Sequence, residues 1–383
     1  MSKWSRMEIE LSNLKSSHLY RSMTTFHSGQ EKIVCVEGEE KHLFSSNNYL
    51  DMCNDTRVKE YANHILQKYG IGSGGSRLTT GTSNIHTELE RTIAGFKKRE
   101  AALVYNTGYM ANVGILSVLA QKGDIIYSDE LNHASIIDGC KLSGAAVVVY
   151  KHNDMRDLEK KIKAKEGKSG IIVSDGVFSM DGDIVNLPRL VELANQYHLL
   201  SMIDEAHATG VIGATGKGTE EYFNMEGSVD VLMGTLSKAI GSEGGFVCGS
   251  KLLIEYLINK SRSFIFSTSL SPVIMAASKC ALELIGEEPE RVQQLQENIR
   301  YCCNRLKDIG IQAESETAII PIIVGEEEKA MKAMNSLKEQ GYYISAIRYP
   351  TVAKGKARLR IVLMSSHTKQ EINSLVEALG KVL

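Results

Sequence analysis

A lysine set among small and apolar residues is the most reactive feature of the chain. Lys238 lies in GTLSKAIG (234–241), close after Thr235 and beside Ser237, and runs into the glycine-rich GSEGG (241–245). Apolar surroundings lower the pKa of an amine, and a neutral lysine amine is a Schiff-base nucleophile. DEAH (204–207) supplies Asp204, a carboxylate able to keep a ring nitrogen protonated, and His207, able to orient a phenolic oxygen or a second carboxylate. Asn106, Thr107, Gly108 and Tyr109 open a helical pattern with Met110, Val113, Leu116 and Leu119 on one face. Free amides and the helix dipole at such a start attract an anion, so a phosphate fits there. His133 in LNHAS (131–135) offers a ring that can stack on a planar ligand. Each has a plainer reading alone: Lys238 as a solvated lysine, Asp204 as a helix N-cap, residues 106–109 as an ordinary turn.

These groups work together only if strands end beneath them. From about residue 56 to 285, short β-rich runs alternate with helical stretches: AALVY (101–105), DIIY (124–127), AAVVVY (145–150), GIIVSD (170–175), LLSMID (199–204) and VDVLMG (229–234). Such alternation predicts an α/β fold, a mostly parallel sheet sandwiched by helices, with its ligand beyond the carboxyl ends of the strands. Asp175, Asp204 and Thr235 all fall at such ends. Trp4, Met7, Leu11 and Leu14 predict an amphipathic N-terminal helix packed on something larger. After Pro289 a helical pattern runs to Gly310. A strand at 318–324, a helix at 327–340, a strand at 357–364 and a helix from Lys369 complete a small α+β domain. The expected division is an arm over 1–55, a large α/β domain over 56–285 and a small C-terminal α+β domain over 286–383.

Composition narrows the chemistry. The 383 residues carry a net charge of −2, which offers no basic field for nucleic acid or an anionic membrane. Seven cysteines without CxxC spacing suit reduced thiols, not a disulfide framework or zinc site. The start lacks an apolar signal core, and no apolar run nears the ~18 residues of a membrane span, so the expected location is cytoplasmic. Gly70, Gly72 and Gly75 spell GxGxxG, but the preceding EYANHILQKY reads as helix, where a dinucleotide fold needs a strand. Walker, GxSxG and HExxH patterns are absent, which sets aside phosphotransferase, hydrolase and metalloprotease readings. An anion cradle, a partner for a pyridinium nitrogen, a Schiff-base lysine and a stacking ring are together the parts of a pyridoxal 5'-phosphate site.

At these motifs the chain resembles the α-oxoamine synthases, pyridoxal phosphate enzymes of the aspartate aminotransferase fold (type I). The resemblance runs from SSNNYL (45–50) through GSGGSRLTTG (72–81), DELNHASIIDG (129–139), DGVFSMDGD (175–183), IDEAHATGVIG (203–213), GTLSKAIG and SRSFIFSTSLSP (261–272) to ARLRIVLMSSHT (357–368). It implies a Schiff base on Lys238, Asp204 on the pyridinium nitrogen, His133 stacked on the ring, and Ser179 and His207 near the ring hydroxyl. It implies phosphate contacts from Gly108, Tyr109 and Thr235, with Thr268 of the partner subunit in a homodimer of shared sites. Arg360 resembles the residue that grips the amino acid carboxylate, with Asn47 beside it. Arg21, Ser76 and Arg77 resemble acyl contacts, Arg348 in IRYPTV resembles a motif of the acyl or carboxylate region, and Arg358 reads as a solvated arginine.

Within the family, GSGGSR is similar to the loop of the biotin-pathway branch, which implies L-alanine and pimeloyl-CoA or a pimeloyl carrier protein as substrates. A sister reaction of glycine with acetyl-CoA, and a non-catalytic binding protein of the same fold, remain open at this point. Two positions depart from the family pattern: Asp51 in YLDM, often glycine, and Glu205 in DEAH, often aspartate.

Overall fold

The computed structural model describes residues 2–17, 19–165 and 167–383. Its centre is a seven-stranded sheet. Across the sheet the strands run Ala101–Tyr105, Gly245–Gly249, Val231–Thr235, Leu200–Asp204, Gly170–Asp175, Ile125–Asp129 and Ala146–Tyr150. All are parallel except Gly245–Gly249, which pairs antiparallel with both neighbours. Three of the strands, 125–129, 231–235 and 245–249, are buried along their whole length, and 101–105, 170–175 and 200–204 along all but the first residue, as expected where helices cover both faces.

The six strands read from the sequence are present, two with the expected bounds and four with ends shifted by one or two residues. Gly245–Gly249 was missed, because glycines bracket it and read as loop. Those glycines answer to crowding: a Cβ on Gly245 would stand 2.5 Å from the Thr107 carbonyl oxygen and 2.7 Å from the Gly108 amide nitrogen. The backbone of the antiparallel strand thus passes directly under the start of helix Gly108–Leu119.

Two three-stranded sheets lie outside this centre. One joins Ile319–Gly325, Ala357–Val362 and Ser345–Ile347, with Ala357–Val362 in the middle. The other joins Ile33–Val36, Glu39–Leu43 and Tyr342–Tyr343, so the first fifty residues pair with the last hundred. Helices Glu290–Asp308, Glu327–Glu339 and Lys369–Val382 form where the periodicity predicts them. The N-terminal helix, Ser5–Ser16, forms but buries no residue in this chain, and Trp4 is 54% exposed. The expected packing therefore finds no partner among the described residues. No helix among the described residues is long and apolar enough to cross a membrane.

Asp51 takes a left-handed backbone, φ 55°. That conformation suits glycine and costs a side chain ~1–2 kcal/mol. Asp51 offsets part of the cost by accepting a hydrogen bond from Asn48 Nδ2 at 3.1 Å, so the turn keeps the shape a glycine would give.

Candidate active site

Parallel register sets two carboxylates side by side. Asp175 pairs with Asp204, and Asp204 with Met233, two residues before Thr235. Both aspartates are buried. Burial, and then the neighbouring Asp204, push Asp175 well above the usual carboxylate range, while the His133 amide donates to its Oδ2 at 2.9 Å. Asp204 is not the cap of a helix, since turns follow it; its Oδ1 accepts from the Ala206 amide at 2.8 Å and its Oδ2 from Asn112 Nδ2 at 2.7 Å. Asn112 also donates to Ser135 Oγ at 2.9 Å, and Ser135 Oγ lies 2.7 Å from His133 Nδ1. A polar chain thus ties the His133 ring to Asp204. Asn112 was not singled out from the sequence, although an asparagine in the apolar run ANVGILSVL is the kind of residue that marks a buried polar role.

Lys238 Nζ lies 3.0 Å from His207 Nε2. Burial lowers its pKa to about 8; the charges of Asp204 and Asp175 oppose that shift and Arg360 adds to it. His207 is pushed well below the ordinary histidine value by burial first, then by Lys238, Arg360 and His133. A neutral imidazole donates from one nitrogen and accepts at the other. His207 therefore links the Lys238 amine to the Tyr49 phenol, whose oxygen is 2.6 Å from Nδ1. Tyr49, raised to about 12 by burial, keeps its proton and also lies 3.1 Å from Asn47 Oδ1.

Arg360 reaches this cluster from the middle strand of the C-terminal sheet. Its Nε donates to the Ser179 carbonyl at 2.7 Å, and its Nη2 stands 3.4 Å from Asn47 Oδ1. Arg358, two residues away on the same face, is not the solvated arginine expected. It is 4% exposed, paired with Asp181 and bonded to the Met180 carbonyl, because both arginines dock on the loop after Asp175. Ser179 enters the site through its carbonyl oxygen.

Thr107 caps helix Gly108–Leu119, its side chain accepting from the Met110 amide. A Cβ on Gly108 would come within 3.5 Å of Thr235 Oγ1, so the missing side chain is what keeps the space between helix start and strand end open. Thr235 Oγ1 is oriented by the Gly244 carbonyl at 2.8 Å. Tyr109 bonds Asp138 through its hydroxyl, which leaves its amide as the group at the helix start.

The remaining predicted residues divide. Arg348 Nη2 donates to the Tyr20 carbonyl at 3.3 Å, which brings the 347–352 segment to the chain around the exposed Arg21. Ser76 forms a bridge with Thr268, whose carbonyl accepts from Asn106 Nδ2 at 2.7 Å, so this chain's own Thr268 lies beside the 106–109 turn. Arg77 is held within the chain. It forms a two-pronged pair with Glu90 at 2.8 and 3.1 Å and so braces the glycine loop from within. A cavity of about 390 Å³ opens next to the cluster, lined by Phe26, Asn47, Asn48, Ser237 and Tyr343 among others.

A lysine and an aspartate at neighbouring strand ends, over a helix start, define a transferase-type cofactor cleft, and the chain belongs to the family described as aminotransferase class I and II, whose pattern matches residues 39–379. Over 98% of its length it is 48% identical to 8-amino-7-oxononanoate synthase of Lysinibacillus sphaericus, covering 97% of that protein. Among solved structures it superimposes on a serine palmitoyltransferase from S. paucimobilis with a bound PLP–myriocin aldimine, with a TM-score of 0.94 and 30% identity over 100% of this chain and 98% of that one. It also matches the 8-amino-7-oxononanoate synthase of Francisella tularensis, with a TM-score of 0.78 and 30% identity over 89% and 97% of the two chains.

Proposed function

We propose that this protein is an acyltransferase that uses pyridoxal 5'-phosphate to condense L-alanine with pimeloyl-CoA or a pimeloyl carrier protein. The products are 8-amino-7-oxononanoate, CO2 and the released thiol carrier. Full-length similarity to the Lysinibacillus enzyme supports the substrates. The convergence of Lys238, Asp204 and His133 at the strand ends carries the reading: Asn112 and Ser135 tie the Asp204 carboxylate to the His133 ring, and the Asp204 charge acts on the Lys238 amine. The residues present fit the cofactor: Gly108 leaves a cradle at a helix start, and the buried Asn112 Oδ1 beside Asp204 lacks a partner among the described residues.

Bound there, pyridoxal phosphate supplies an electron sink for negative charge at the amino acid Cα. Lys238 would hold it as a Schiff base and, once displaced, take the Cα proton. Asp204, steadied by Asn112, would keep the ring nitrogen protonated, and His133 would stack on the ring. His207 and Ser179 belong to the ring-hydroxyl side in this reading. Gly108, Tyr109 and Thr235 would hold the phosphate, joined by Thr268 of the partner subunit in a homodimer. Ile71 at 83% exposure and Phe266 at 71% support a covering second copy. Arg360, with Asn47, would fix the substrate carboxylate and so select which Cα bond lies along the π system. Arg21, Ser76 and Arg348 would meet the acyl donor.

Purified holoenzyme offered L-alanine or glycine, each with pimeloyl-CoA or acetyl-CoA, is expected to form product from L-alanine and pimeloyl-CoA. Product confined to glycine and acetyl-CoA would transfer the protein to the sister reaction. Arg360→Lys is expected to raise the KM for L-alanine about 10–100-fold with a smaller change in kcat, since an ammonium cannot reproduce the guanidinium fork. An unchanged KM would remove Arg360 from the carboxylate site.

A further inference from the structure

Outside the cleft, His152 stands between two carboxylates on different elements. Its Nδ1 is 3.1 Å from Asp129 Oδ1, at the end of strand Ile125–Asp129, and its Nε2 is 2.9 Å from Asp183 Oδ2. Its ring meets Phe178 edge-on, with centroids 4.4 Å apart. Asp129 is buried and also accepts from the Leu131 and Asn153 amides, so it is a fixed anchor. Asp183 is less well provided for, since its Oδ1 is buried without a partner among the described residues. The next residue adds to the grip, as Asn153 Nδ2 donates to the Ile184 carbonyl at 2.9 Å.

Both contacts fall on the base of one loop. Val177 bridges Ile184, the Phe178 amide donates to the Asp183 carbonyl at 3.0 Å, and the Gly182 amide to the Phe178 carbonyl at 2.8 Å. The tip of the same loop holds both arginines, through the Ser179 and Met180 carbonyls and Asp181. We propose that His152 is a positioning residue for Arg360: clamped between Asp129 and Asp183, it fixes the 177–184 loop whose Ser179 carbonyl sets the place of the Arg360 guanidinium. The charge on His152 supports the clamp. Burial alone would lower its pKa, but hydrogen bonds to Asp129 and Asp183 outweigh that and raise it to about 10, so both ring nitrogens donate at neutral pH.

The substrate consequence rests on the carboxylate role proposed for Arg360; the loop consequence does not, and the experiment separates them. In full-length His152→Gln holoenzyme, amide hydrogen exchange over 177–184 is expected to quicken about tenfold, with strand Leu200–Asp204 unchanged, because a neutral amide replaces a doubly donating cation. The KM for L-alanine is expected to rise about tenfold with kcat changed less than about twofold, since misplaced binding groups act on affinity before chemistry when the reacting groups stay in place. Asp183→Asn, which removes the other half of the contact at a less buried site, is expected to reproduce both changes and keeps the test available if His152→Gln fails to fold. Unchanged loop exchange in either variant, or exchange that quickens equally throughout the sheet, overturns the proposal. Quickened loop exchange in an enzyme that distinguishes no amino acid would uphold the clamp and overturn only the carboxylate assignment of Arg360.

Discussion

Lys238→Ala is expected to lower turnover by at least about 10⁴-fold, because the proposed function asks one side chain both to hold the cofactor and to move the Cα proton. The site should otherwise persist. The cradle at Gly108 and Thr235 and the Asp204–Asn112 pair do not depend on the lysine, so cofactor should remain bound, now without a covalent link. Denaturing the loaded wild type after borohydride reduction should leave the cofactor attached to the peptide holding Lys238, and denaturing the variant should release it. The buried amine adds a pH signature. Its value of about 8, against an ordinary 10.5, means that the neutral amine becomes abundant as pH rises through about 8. Capture of pyridoxal phosphate by cofactor-free protein should accelerate over that range. Full activity in Lys238→Ala would remove the lysine from catalysis.

Lys97→Met is expected to cost about 3–5 kcal/mol of stability, the usual result of stranding one member of a buried ion pair. Lys97 and Glu205 have side chains only 1% exposed and meet at 3.1 Å. All three ammonium donors are placed: on Glu205, on Thr209 Oγ1 at 2.7 Å and on the Lys217 carbonyl at 2.6 Å. Glu205 also accepts from the Thr219 amide and hydroxyl. The residue after Asp204 is therefore a strut that pins 205–219 behind the cleft, which explains why a glutamate is accommodated in DEAH. The double variant Lys97→Met, Glu205→Leu should recover only part of the loss, since it removes the stranded charge but leaves the Thr219 amide and hydroxyl without their acceptor. Denaturant melts of both variants decide it; a single-variant loss below about 1 kcal/mol would show that water reaches Glu205.

Much of the architecture was legible because local signals agreed. Strand and helix patterns from 101 to 235 alternate cleanly, Pro289 and Gly310 bracket a helix, and the last helix begins at Lys369 as expected. The failures share a cause. Gly245–Gly249 is a strand whose glycines are chosen by the helix above it, and that pressure is invisible along the chain. Arg358 looked like a solvent arginine because its partner, Asp181, is matched to it only by folding. The apolar stripe of Ser5–Ser16 was correctly periodic, yet periodicity cannot say what covers it.

By itself the sequence determined the chemistry on offer: an amine in apolar surroundings, carboxylates at strand ends, a glycine at a helix start, and arginines on one face of a late strand. Those follow from side-chain type and from the 2- and 3.6-residue periods, which are local properties. Tertiary structure alone decided which groups meet. Strand register set Asp175 against Asp204, the antiparallel strand at 245–249 brought Thr235 under Gly108, and the docking of the C-terminal sheet placed Arg360 on the Ser179 carbonyl. Each of those contacts joins residues far apart in the chain, so only the buried surface that holds the elements together can specify it.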